Sequence, residues 1–393
     1  MKKVIITDLM ILAVFGSTCF WSVKKDRLTA LVDKILTEQT SEDEEILVLT
    51  SSNLAKKNAQ MGEPQMSENA DKTSEENTTK DYIKWVDFTV SKFALTESYE
   101  YDRDTYGTDR HISWIDLLAW TAAHTGGKFG DDRTVCKCME ELEMEAKAGK
   151  KLEELTEDLE YFPYYREVYE TVLGGMVGEY EIEEPDAQGR KVTQKRYGLK
   201  AFHPIAKGFP YTDYDDFGAS RSYGYRREHL GHDMMGQVGT PVVCVESGYV
   251  EALGWNQYGG WRIGIRSFDK KRYYYYAHLR QGFPYQPELK EGSVVLAGDV
   301  IGYMGHTGYS TKEDVNNIDQ THLHVGMQLI FDESQKDSDN EIWIDCYQIM
   351  GFLYRNQSET ARNDETKEWR RIYEMKDPVA EKYERTQDFS MYP

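Results

Sequence analysis

The 393-residue chain reads as α+β, with a helical domain over 81–180 followed by a β-rich domain over 181–355. Three observations predict this. Ile112, Ile115, Leu118, Ala119 and Ala122 recur at helical spacing, and Gly126-Gly127 ends the run. Tyr273 to Leu279 is a strand-like run in which alternation places Tyr274, Tyr276 and His278 on one face. Leu289 to Gly305 interleaves glycines with valines, a composition suited to tight turns in a small β-sandwich.

Taken in order, the chain opens on Met1-Lys2-Lys3 and an apolar run from Val4 to Val23, near the ~20 residues a spanning helix needs. Lys24-Lys25-Asp26-Arg27 closes it. Residues 1–24 are expected to be a signal anchor. A cleaved signal peptide is the competing reading, with Gly16 and Thr18 as small residues before a cut. On either reading the remainder is extracytoplasmic. Residues 25–80 follow, and from about Glu38 to Lys80 the composition turns to Ser, Thr, Asn, Glu and Lys with few large apolar side chains. Such a tract cannot bury enough surface to offset chain entropy and is expected to be a flexible stalk.

Within 81–180, Ser113 is placed to cap the first helix, which would leave Ile112 outside it. Further helices are expected from Arg133 to Ala148 and from Tyr164 to Leu173, the latter after Pro163 and before Gly174-Gly175. Trp85, Trp114 and Trp120 are expected core anchors. No chemical motif marks this region and its role is open; docking of a protein partner is one competing reading. Pro185 to Gly189 is a turn into the β-rich domain. Ile342 to Tyr354 is apolar enough to pack back on that domain. In the charged tail, 356–393, Trp369 and Tyr373 stand four residues apart, a helical spacing.

The net charge of −21 argues against nucleic acid as a partner. Five cysteines are few for an exported chain, and Cys136 and Cys138, two residues apart on a helix, point in different directions. The core, not bridges, must hold the fold. No P-loop, GxSxG or HExxH occurs.

The chemistry gathers around Arg226-Arg227-Glu228-His229-Leu230-Gly231-His232-Asp233. His229 and Asp233 can converge on one ion if the backbone bends between them, and Gly231 is expected to permit the bend. His322 and His324 share a strand face, so one of them can join the ion while the other sits just beyond it. Two histidines and an aspartate leave a fourth position open, the pattern of a catalytic zinc. His203, His232 and His306 are expected to be ordinary hydrogen-bonded residues.

In order along the chain stand H-x-G-x-D at His229 to Asp233, A-H-L at Ala277 to Leu279, the Leu289 to Gly305 segment, and H-L-H at His322 to His324. This arrangement resembles the lysostaphin-type, LytM-type zinc peptidases that cut peptide cross-links of bacterial cell walls. The resemblance spans Tyr197 to about Phe331. It implies a mainly antiparallel β peptidase domain, barrel-sandwich hybrid-like in build, with one Zn2+ per chain held by His229, Asp233 and His324. It implies His278 and His322 as histidines that assist the attacking water, and a tyrosine that steadies the transition state, Tyr223 with Tyr225 as the alternative. Two departures stand out. Lys312 to Gln320 intervenes between the T-G-x-S turn and H-L-H, and is expected to be a substrate-side loop; Val325 replaces a common Phe. The Asp and Asn residues of that loop lack EF-hand spacing.

The function implied is a membrane-anchored, extracytoplasmic zinc metalloendopeptidase acting on peptidoglycan stem or bridge peptides. The alternative is a non-catalytic LytM-like domain that binds wall or partner proteins. Members of that kind lose ligands, and this chain keeps all three.

Overall fold

Helix α1 spans Lys92–Thr105 and α2 spans Trp114–Thr125. The apolar pattern located α2, but its ends are set by polar groups. Ser113 Oγ accepts from the Asp116 amide at 3.1 Å, which starts the helix at Trp114, two residues after Ile112. Gly126 closes it at φ 61°, its N–H donating to the Ala122 carbonyl. Helices α3 (Asp132–Lys147), α4 (Leu152–Thr156) and α5 (Phe162–Leu173) follow, the last with Pro163 in its first turn, where no amide donor is needed. In this computed structural model the described residues are 86, 88–222, 226–336, 338 and 340–388. The expected anchor, the stalk, Trp85, Tyr223 and Tyr225 lie outside them. Trp114 and Trp120 are buried.

Strands β1 (Val177–Pro185) and β2 (Lys191–Leu199) make a hairpin whose turn is the expected one at 185–189. Then come β3 (Thr212–Asp213), the short ribbon of β4 (Ser220–Ser222) and β5 (Arg226–Glu228), and β6 (His232–Met235). They are followed by β7 (Pro241–Val243), β8 (Gly248–Asn256), β9 (Gly260–Ser267) and β10 (Arg272–Ala277). The Leu289 to Gly305 segment supplies β11 (Val294–Val295) and β12 (Val300–Tyr303), with Gly292 and Gly298 at φ 84° and 89° in its turns. Strand β13 (His322–Leu329) and β14 (Ile342–Trp343) complete the main sheet.

That sheet runs β11-β8-β9-β10-β13-β6-β3, with β14 also on β13, and its pairs are antiparallel. Strand β12 pairs with β7 separately. The architecture is therefore mixed helix and mainly antiparallel sheet. Among the described residues no sheet closes into a barrel.

The described residues belong to one compact unit, and the helices share a core with the sheet. Leu117 and Leu118 of α2, Val172 of α5 and Ile265 and Tyr274 of the sheet belong to it, all fully buried. A buried ion pair also joins the two layers. Arg272 donates to Glu246 Oε2 at 2.8 Å and Oε1 at 2.9 Å, and its Nη1 donates to the Thr171 carbonyl at the end of α5 at 2.6 Å. Helix α6 (Tyr347–Leu353) packs its apolar face into the same core, as the composition of 342–354 suggested.

The tail departs from expectation. Trp369 is in a strand, not a helix: β15 (Thr360–Arg362) pairs with β16 (Trp369–Arg371). The Trp369 N–H donates to the Tyr303 hydroxyl at 3.0 Å, a tertiary bond that the four-residue spacing could not reveal. Strand β17 (Met375–Lys376) adds to β1, and α7 (Pro378–Asp388) follows. Cys136, Cys138, Cys244 and Cys346 are free thiols.

Candidate metal centre and catalytic cleft

Register brings the site together. Strand β13 lies between β6 and β10, with His324 opposite Asp233 on one side and Ala277 on the other. His229 arrives from the segment just after β5. His229 Nε2 lies 3.1 Å from Asp233 Oδ1 and 3.0 Å from His324 Nδ1, and His324 Nδ1 lies 2.9 Å from Asp233 Oδ1. Ligands ~2.0–2.1 Å from a tetrahedral zinc stand about 3.3 Å from one another. Two imidazole nitrogens and a carboxylate oxygen so disposed fit that ion in both chemistry and spacing.

The outer atoms of this triangle are also held. His229 Nδ1 is 3.3 Å from the Asp216 carbonyl and 3.1 Å from its Oδ1, so a proton on Nδ1 leaves the Nε2 lone pair for a metal. Arg221 bridges Asp216 and Asp233, donating to Asp233 Oδ2 at 3.1 Å and leaving Oδ1 toward the histidines. Neither Asp216 nor Arg221 was picked out from sequence. They lie 13 and 8 residues before His229 (229 − 216 and 229 − 221) with no spacing signature, and only the β4–β5 ribbon folds them back on it.

Gly231 stands at a bend just before β6, as expected, without entering the left-handed region, and it also makes space. A Cβ there would stand 2.4 Å from His324 Cε1 and 2.8 Å from the Val325 carbonyl oxygen.

His278 and His322 stand side by side, ring centroids 4.6 Å apart. His278 Nδ1 is 3.0 Å from the Thr307 carbonyl and His322 Nδ1 is 2.8 Å from the Gln320 carbonyl. A carbonyl can only accept, so each ring keeps its proton on Nδ1 and carries a lone pair on Nε2. His322 Nε2 lies 3.8 Å from Asp233 Oδ1, beside the metal triangle.

The expected alternation in the tyrosine run fails at its last member. Tyr274 and Tyr276 are fully buried in the core, while Tyr273, Tyr275, Ala277 and His278 line the cleft. His278 has φ 59°, and that left-handed residue breaks the strand's two-residue period. Tyr275, off the face expected to carry His278, therefore belongs to the cleft floor. The three histidines expected to be ordinary hydrogen-bonded residues are so placed: His203 meets Tyr211, His232 meets Asp213 and His306 meets the Ile318 carbonyl.

Electrostatics follow from burial and contact. Burial favours a protonated Asp233, but hydrogen bonds with His229 and His324 outweigh it and hold the carboxyl well below the usual range. Burial, then the nearby His322 and His324, pushes His278 well below an ordinary histidine, so it is a neutral base at neutral pH. Burial also lowers His324, against the pull of Asp233. For His229, burial is outweighed by Asp233 and its pKa rises.

The cleft has a volume of roughly 770 Å³. Ile318 of the 312–320 loop lines it, and the loop is tied down by Asp314, which accepts from Trp261 Nε1 at 2.7 Å and from the Gly282 amide at 2.8 Å.

An antiparallel sheet carrying an open His/Asp/His triangle with two further imidazoles beside it defines a metallopeptidase-type centre. Residues 227–338 match Peptidase family M23, and this segment is of the LytM/lysostaphin type. It is 42% identical over 124 residues to the L-Ala--D-Glu endopeptidase of Bacillus subtilis, covering 32% of this chain and 36% of that one. It is 39% identical over 84 residues to lysostaphin of Staphylococcus staphylolyticus, covering 21% and 16%. The chain thus spans well under two thirds of either relative. A solved structure from Ruminococcus gnavus, provisionally assigned as a glycyl-glycine endopeptidase lytM, aligns over 68% of this chain and 98% of that chain at 22% identity. Its TM-score of 0.41 carries no weight of its own.

Proposed function

We propose that this protein is an extracytoplasmic zinc metalloendopeptidase that hydrolyses peptide bonds in peptidoglycan cross-links or stem peptides. The observation that carries the reading is the pairing of a complete ligand triangle with two histidines whose Nδ1 protons are held on backbone carbonyls. His229, Asp233 and His324 would hold the ion. A bound zinc supplies Lewis acidity to water and to the scissile carbonyl.

The chain's own groups do the rest. His322 Nε2 accepts the proton of the attacking water, and His278 beside it stabilises charge developing on the carbonyl oxygen. Tyr223 is assigned a hydrogen bond to that same anion by family resemblance. The named activities of the relatives support peptidoglycan as substrate class. Attachment to the membrane rests on the Val4 to Val23 segment, outside the described residues; among those described, no helix is long and apolar enough to cross a membrane. The non-catalytic alternative has no lost ligand to support it.

Digestion of purified peptidoglycan with the region after Lys24, followed by mass spectrometry of released muropeptides, tests the reading. Cleaved peptides should appear with stoichiometric zinc in the protein and vanish with His324→Ala. Release of no peptide by the zinc-loaded protein would overturn it.

A further inference from the structure

Arg262 shares the cleft face of β9 with Gly264, which lies opposite Tyr275. It is one residue from Ile263, opposite Tyr276, and so stands level with Ala277, whose other neighbour is His324. Two strand spacings of ~4.8 Å put its Cα about 10 Å from that of His324. Only the small side chain of Ala277 lies between them on the sheet.

The other cations on the cleft are engaged. Arg221 pairs with Asp216 and Asp233, and Lys336 pairs with Glu251 at 2.9 Å. Arg262 makes no ion pair among the described residues, and its Nη1 is buried without a hydrogen-bond partner. The cleft's remaining acids are directed elsewhere: Glu341 accepts from Trp343 Nε1 at 2.7 Å, and Glu228 is exposed on β5. In a chain of net charge −21, the missing counter-ion is not for want of carboxylates. A buried guanidinium nitrogen left without a partner is costly, and a bound anion would offset that cost. Farther along the floor, Gln328 is 2% exposed and its Nε2 is likewise unpartnered, a place for a peptide carbonyl.

We propose that Arg262 is a specificity determinant that binds a carboxylate of the substrate peptide, borne within about three residues of the cleaved bond. An extended peptide advances ~3.3–3.6 Å per residue, so three residues cover the ~10 Å from the metal triangle. A guanidinium takes a carboxylate through two parallel hydrogen bonds, which a primary amide cannot match. This inference rests on the peptidase reading above and names the chemistry of its substrate.

The test uses the zinc-loaded full chain carrying His322→Ala, so that peptides stay intact, and reads affinity by calorimetry. Three forms of the stem peptide L-Ala-γ-D-Glu-L-Lys-D-Ala are compared: both carboxylates amidated, only the glutamate carboxylate free, and only the C-terminal carboxylate free. One free carboxylate should tighten binding about 10- to 100-fold over the fully amidated form. Arg262→Gln should bring that ratio near one, and Arg262→Lys should keep part of it, with thermal midpoints confirming that both variants fold. Equal affinity for all three peptides, no binding of any, or an advantage that survives Arg262→Gln overturns the proposal. Hydrolysis of the same peptides by the protein with His322 intact tests the peptidase reading separately.

Discussion

The Asp216 carboxylate stands 3.1 Å from His229 Nδ1, on the side of the ring away from the ligand triangle. The Asp216 backbone carbonyl, 3.3 Å from the same nitrogen, accepts its hydrogen bond and favours the tautomer that frees Nε2, while the carboxylate sets its negative charge beside the ring and is tied through Arg221 to Asp233. Groups that orient a metal-binding histidine are typically worth ~10–100-fold in metal affinity. Asp216→Ala should therefore weaken zinc binding by about that factor while leaving one site per chain, as measured by competition with a chelator. An unchanged affinity would show that His229 needs no such support.

His322 and His324 are two residues apart on one face of β13, yet they are expected to fail in different ways. His324 contributes Nδ1 to the triangle, whereas His322 is held by the Gln320 carbonyl beside it. His322→Ala should keep its zinc and thermal midpoint and lose ~10²–10⁴-fold in rate, the usual contribution of an acid–base group. His278→Ala should behave likewise. His324→Ala should lose zinc and activity together. Metal analysis and hydrolysis on the same preparations separate the cases; zinc lost from His322→Ala but kept by His324→Ala would reverse the two roles.

Gly231→Ala is a test of packing rather than of backbone freedom. The added methyl would meet the His324 ring and the Val325 carbonyl, and the latter is backbone that cannot swing aside. Overpacking of this kind costs roughly 1–3 kcal/mol. The variant should melt earlier and bind zinc more weakly. If both properties match the parent, the close approach of His324 is not what requires glycine.

His203 gives a prediction about acid. It is fully buried, and burial pushes its pKa down to about 4 from an ordinary 6.5. Above pH 6.5 it is neutral folded and unfolded, and contributes nothing that depends on pH. As pH falls from 6.5 toward 4, the unfolded chain takes up a proton that the folded chain refuses, so stability is lost across that window. At ~1.4 kcal/mol per pKa unit the loss between pH 7 and 4.5 is roughly 2 kcal/mol. Denaturant unfolding at those two pH values should show His203→Asn losing less stability than the parent by about that amount. Equal losses would assign the acid sensitivity to other groups.

The parts of the fold legible in the sequence were those governed by neighbours along the chain. Helix α2 was legible from the spacing of Ile115, Leu118 and Ala122, and its ends from Ser113 and Gly126, because propensity and capping act within a turn or two. The 185–189 turn was legible for the same reason. Trp369 was misplaced because its spacing to Tyr373 suits a helix, while its actual partners, Arg362 and Tyr303, are separated by a turn and remote, respectively.

At the site, the sequence by itself determined which residues to look for together: His229, Asp233, His278, His322 and His324 are the residues that the motifs place in order, and they meet in one cleft. What only the tertiary structure decided is how they are held. The register of β13 between β6 and β10 sets His324 opposite Asp233, and the β4–β5 ribbon returns Asp216 and Arg221 to the ligands. The left-handed turn at His278 reverses which tyrosines face the cleft. The physical reason is the same in each case. A metal triangle with sides near 3 Å is assembled from segments up to 95 residues apart, and side chains pinned by long-range hydrogen bonds leave no local periodicity to read.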